Sequence, residues 1–186
     1  VKITGNLLSL AATNRVELRD VSIVENAQPP YGQLAHVNAI RLRYSLAQIL
    51  FPTNPHVPYL DEVQLLGPEV AVRRNAKGQW NFAPFLQLIK PSKTVTRPVI
   101  NHIAFTNGAL LYQDARFPHP PGVPARPFAT RITDASGNVF LNADRTTSVD
   151  VAALAEPNVA QNFRVVGILG PGAKRIDAWL TADRLN

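Results

Sequence analysis

The chain has 186 residues, 46% of them hydrophobic and 17% charged, with a formal net charge of +6. That apolar content can offset chain ordering and argues against disorder; the absence of cysteine excludes disulfides, thiol nucleophiles and cysteine-ligated metals. Sixteen prolines and ten glycines interrupt the sequence too often for long helices, so short elements joined by turns are expected.

Val1 to Leu10 reads as a strand rather than a signal peptide. Thereafter the dominant period is two: Val16-Glu17-Leu18-Arg19, Ile40-Arg41-Leu42-Arg43-Tyr44, Val63-Gln64-Leu65 and Val70-Ala71-Val72-Arg73 alternate apolar with polar residues. Ile103-Ala104-Phe105, Val149-Asp150-Val151 and Ile176-Asp177-Ala178-Trp179-Leu180 continue the pattern. Such alternation describes a half-buried sheet with one apolar face, most naturally antiparallel.

Gly67-Pro68 and Asn107-Gly108 each read as a turn between two short strands, and Ser136-Gly137-Asn138 and Gly170-Pro171-Gly172 repeat the punctuation. Leu60, Val63, Leu65, Val70 and Val72 match Ile100, Ile103, Phe105, Leu110 and Tyr112 at one constant offset, so two hairpins with apolar faces form a weak internal repeat.

Two short helices are expected. Ser45 caps the first, near 45–51, which Pro52 ends. Asn81 caps the second, near 81–89, where Phe82, Phe85, Leu86 and Ile89 form an apolar stripe with Pro84 in the first turn. Lys90 to Pro98 reads as a linker and Pro118 to Pro127 as an extended, exposed loop. The chain divides near residue 95 into modules 1–95 and 96–186, with one continuous sheet running through both.

No apolar run approaches the roughly 18–20 residues that span a bilayer. The basic residues, Arg41, Arg43, Arg73 and Arg74 among them, are scattered beside apolar strand positions, without a basic block or an aromatic ribonucleoprotein motif. No nucleic-acid partner is expected.

The chemistry of an enzyme is missing from the pattern. His36, His56, His102 and His119 have no metal-binding spacing, and Asp61-Glu62 reads as a solvated strand edge. Neither a nucleophile elbow nor a phosphate-binding loop occurs. No catalytic residue, metal site or cofactor is assigned. What remains is the apolar face, which needs a cover: a second sheet as in a β-sandwich, its own curl, helices, or a ligand.

The stretch from Leu34 to Phe85 bears on that choice. A strand ends in Arg43-Tyr44-Ser45-Leu46 and is followed by a short apolar helix to Leu50. Val63-Gln64-Leu65-Leu66-Gly67-Pro68 follows, then Val70 to Arg74 and Gly78-Gln79-Trp80-Asn81. Ile100 to Asp114, with its Asn-Gly pair and Tyr112-Gln113-Asp114, and the upstream Arg15 to Val21 complete the order. Over residues 15–115 this order and spacing resembles the N-terminal region of the AsmA/TamB superfamily, envelope proteins that include the TamB-like translocation and assembly module proteins.

The resemblance implies a mainly β fold: a curved antiparallel sheet forming an open, taco-like groove, related in architecture to the chorein-type bridge proteins. It implies a periplasmic segment of a larger protein, anchored in the inner membrane through a part outside this chain. The implied function is phospholipid transfer between inner and outer membranes, and some members are linked to an outer-membrane barrel partner in outer-membrane protein assembly. On this reading Ile40, Leu42, Val63, Leu65, Val70, Val72, Ile103, Phe105, Leu110 and Tyr112 line the groove, and Phe82, Phe85 and Leu86 cap one end.

Overall fold

The computed structural model describes residues 2–8, 15–25, 32–45, 59–84, 99–117, 127–142, 144, 146–155, 160–170 and 175–185. They form one sheet. Its strands are β1 (Lys2–Leu8), β2 (Arg15–Val24), β3 (Gln33–Tyr44), β4 (Tyr59–Arg74), β5 (Val99–Ile100), β6 (His102–Asp114), β7 (Phe128–Leu141), β8 (Thr147–Ala155), β9 (Ala160–Leu169) and β10 (Ile176–Leu185). The spatial order is β1-β2-β3-β4-β6-β7-β8-β9-β10, with the two-residue β5 beside β4. The sheet is curved and open, β1 and β10 being its two edges. Among the described residues no second sheet packs on it, so the sandwich alternative is not the arrangement adopted.

Neighbouring strands are antiparallel except at the centre, where β4 runs parallel to β5 and β6. The partners there are Val63↔Ile103, Leu65↔Phe105, Val70↔Leu110 and Val72↔Tyr112, and Leu60 pairs Ile100 of β5. The internal repeat is therefore a lateral one: its two copies lie side by side in register. The first copy is one long strand, β4, and the second is β6 with the short β5 before it; neither is the expected hairpin. Parallel pairing follows from the connection between β4 and β5, which returns the chain to the end at which β4 began.

Three expected turns are corrected with it. Gly67-Pro68 lies inside β4 and Asn107-Gly108 inside β6, and Ser136-Gly137-Asn138 lies inside β7. Gly67 has φ +58° and Asn107 φ +54°. Both take the left-handed conformation a turn would need, but the segments flanking each one pair with neighbouring strands rather than with each other. Gly170 does begin the β9–β10 connection, its N–H donating to the Arg175 carbonyl at 2.7 Å.

The first expected helix lies outside the described residues beyond Ser45, as do the 90–98 linker and most of the 118–127 loop. The second is described only at its start, where the Ala83 N–H donates to the Trp80 carbonyl at 3.2 Å. No described helix is long and apolar enough to cross a membrane.

Candidate functional site

Side chains of directly paired residues lie on one face of a sheet, so the register assigns each face. Below the level of Gly67, one face carries Val16, Leu18, Ile40, Leu42, Val63, Leu65, Ile103 and Phe105, continued by Val139, Val149, Val151 and Val165. Above it, Ile23, Ala35, Val70, Leu110, Ile132 and Ala155 form one cross-strand row. Ala155 and Val149 belong to β8, where the backbone holds no positive-φ residue, so the row above and the face below are the same side. All ten groove candidates lie on it. Val139, Val149, Val151 and Val165 were not among them, although Val149-Asp150-Val151 already alternated; Val139 was hidden beside an expected turn.

From β7 to β9 this apolar face is the more sheltered one; nearer the centre Val63 is buried on it, and Leu34 and Ala39 on the other. Along β7 to β9 its residues other than the terminal Leu141 are half-buried or buried, while Arg131, Phe140, Ala152, Leu154, Arg164, Val166 and Ile168 on the opposite side are exposed. Val63 is only 8% exposed. Curvature crowds side chains on the inner side of a sheet and spreads them on the outer side; by that measure the apolar face is the inner one along β7 to β9.

The outer face is ion-paired across strands. Arg19 and Arg41 both donate through Nε to Glu17, at 2.6 and 2.8 Å, and these bonds, Arg41's the larger, hold the Glu17 carboxyl below its usual range. Arg164 grips Asp150 with two bonds, at 2.8 and 2.7 Å, and lowers its pKa likewise. His102 stacks on Phe140 at 4.4 Å between ring centroids and shares a hydrogen bond of 2.9 Å with Asn138. His36 bonds Ser22 and Asn38. These two histidines are structural; His56 and His119 lie outside the described residues. No group of three or more His, Asp or Glu able to hold a metal occurs among the described residues.

At its upper margin the apolar face meets an aromatic belt. After β4 the chain turns over Asn75 to Gln79, with Gly78 at φ +83°, and Trp80 bridges back to Arg74. Asn81 fixes this return: its Oδ1 accepts from the Arg73 N–H at 2.9 Å and its Nδ2 donates to the Ala71 carbonyl at 2.7 Å. The Gly-x-Trp-Asn element thus builds a turn that lays Trp80 over the strand end. Trp80 stacks on Phe82 at 5.6 Å and lies 6.3 Å from Tyr112, which meets Phe128 at 6.1 Å. Of the cap candidates, Phe82 is in this belt; Phe85 and Leu86 lie outside the described residues.

Beneath Trp80, Arg74 donates to both oxygens of Asp114, which is 2% exposed. Arg74, then the Arg116 N–H and the Tyr112 hydroxyl, hold the Asp114 carboxyl down at about 2 against the penalty of burial. The pair was not visible in the sequence, because its partners are 40 residues apart.

No family model matches the chain, and no curated protein sequence matches it. The arrangement sets the Ser22 hydroxyl beside the His36 imidazole on the ion-paired face, and no metal-ligand cluster occurs among the described residues. It offers a long apolar surface on which no second sheet packs among the described residues.

Proposed function

We propose that this chain is a periplasmic β-groove segment that shelters phospholipid acyl chains for transfer between the inner and outer membranes, within a parent protein anchored to the inner membrane. The observation that carries the reading is one apolar face shared by strands β2 to β9 of an open, curved sheet, the more sheltered face along β7 to β9. The resemblance of residues 15–115 to the AsmA/TamB superfamily supplies the compartment and the cargo.

The energetics favour such a wall. Exposing acyl chain to water costs about 0.8 kcal/mol per CH₂, on the order of 24 kcal/mol for two chains of about 15 methylenes. A groove that replaces the bilayer interior removes most of that barrier without a catalytic group. A smooth wall of Val, Ile and Leu suits transit better than polar anchors, while the head group stays in water.

The first experiment is mass spectrometry of an organic extract from gel-filtered protein, against an unrelated β-sandwich purified identically. Near-stoichiometric phospholipid in this sample alone is the expected result. Its absence, at matched purity, would count against the groove reading.

A second reading rests on the edge at β10, where Ile176, Trp179 and Leu180 are exposed on both faces. An assembly module would pair this edge with another strand, such as one from an outer-membrane assembly partner. It predicts concentration-dependent self-association in sedimentation velocity and no bound lipid.

A further inference from the structure

The left-handed non-glycine residues are Asp20, Asn107, Asp134 and Asn162, with φ between 48° and 54°; among the glycines, Gly67 joins them at 58°. Their register puts all five at one level. Asp20 falls opposite Asn38, between the pairs Arg19↔Ala39 and Val21↔Val37. Asn38 falls opposite Gly67, and Gly67 beside Asn107. Gly108 pairs Ala135, next to Asp134, and Phe163, next to Asn162, pairs Ala153 at the same height.

Two regular strands expose what this row does. Between Thr4↔Ser22 and Asn6↔Arg19, β1 has one residue where β2 has two, so Arg19 and Ser22 share a face although their numbers differ in parity. Between Leu154↔Thr133 and Ala152↔Ser136, β8 likewise has one residue where β7 has two. Side-chain alternation inverts across the row in β2, β3, β4, β6 and β7. With unbroken alternation, Val70, Val72, Leu110 and Tyr112 would point outward, and Glu69, Arg73 and Arg131 inward.

We infer that Asp20, Gly67, Asn107, Asp134 and Asn162 act as one crease across the sheet, positioning the apolar side chains of both halves on the same inner face. Extra residues in paired strands bend them, so aligned bends fold the sheet along the row. Every position is Gly, Asn or Asp, the residue types that enter this conformation at least cost. The crease shapes the wall on which the lipid reading rests, and its test reads side-chain exposure with no lipid present, so the two fail separately.

Because the chain has no cysteine, single cysteines report each position without background. Cysteine is placed at Arg131, Ile132, Val139 and Phe140 of β7, and maleimide labelling rates are compared in the folded protein. Ile132→Cys and Val139→Cys are expected to react several-fold more slowly than Arg131→Cys and Phe140→Cys. Regular alternation would group 131 with 139 and 132 with 140; that result, or four equal rates, overturns the inference. In addition, Asp134→Val is expected to exchange fast and slow positions on one side of the crease, and Asp134→Gly to keep the parent order. A folded Asp134→Val protein with the parent order also overturns it; if that variant fails to fold, the four parent rates still decide.

Discussion

Arg74 and Asp114 are the last partners of the parallel β4–β6 junction, and their side chains meet in a two-pronged ion pair under the Trp80 ring, whose centroid lies 5.2 Å from the Arg74 guanidinium. The pair ties the end of one repeat copy to the end of the next. With the folded carboxyl held at about 2 and an unfolded value of about 3.9, Asp114 contributes stability that is fully present above about pH 4. That contribution is lost as pH falls through about 2. Asp114→Asn should lower the melting temperature at pH 7 and flatten the acid limb of a melting-temperature profile between pH 5 and pH 2. An unchanged acid limb would mean that other carboxylates, such as Glu17 and Asp150, govern it.

The period-two alternation made the sheet and its apolar residues legible in the sequence, because Val63, Leu65, Ile103 and Phe105 each alternate with a less apolar or smaller neighbour. The constant offset of the repeat was legible too, but its meaning was not. A local pattern cannot distinguish a hairpin folded on itself from one strand paired to neighbours on both sides. Gly67 and Asn107 carry positive φ in either case, so the conformation was readable and its role was not. The Arg74–Asp114 pair escaped for a related reason: its partners are joined by register, which single-chain spacing does not reveal.

Within the apolar face, position decides whether a charge removes binding or removes the fold. Leu42 and Val72 are half-buried, so Leu42→Asp and Val72→Asp should stay folded by circular dichroism and lose co-purifying phospholipid. Val63, at 8% exposure, is part of the packing; Val63→Ala should cost about 1–2 kcal/mol in urea unfolding. Unfolding of the Leu42 and Val72 variants would make those positions core rather than groove wall.

Asn107 provides the sharpest test of what left-handed geometry contributes to stability. A β-branched side chain disfavours this conformation, so Asn107→Val should destabilise by about 1–2 kcal/mol. Glycine adopts it without steric cost, so Asn107→Gly should stay within about 0.5 kcal/mol of the parent. Urea midpoints at constant slope measure both. Equal losses in the two variants would place the cost in the Asn107 side chain instead of its backbone.

Thr130 sits on the apolar face opposite Tyr112, and its hydroxyl is buried with no hydrogen-bond partner among the described residues. An unsatisfied buried hydroxyl costs about 1–3 kcal/mol, and valine has nearly the same shape with a methyl in its place. Thr130→Val should therefore stabilise the protein by about 1 kcal/mol, a rise of about 2–4 °C in melting temperature for a chain of this size. Thr130→Ser keeps the hydroxyl and loses a methyl group, so it should lower the melting temperature. If valine instead destabilises while serine is neutral, the hydroxyl has a partner in solution, and a water or a lipid polar group on the inner face becomes its natural candidate.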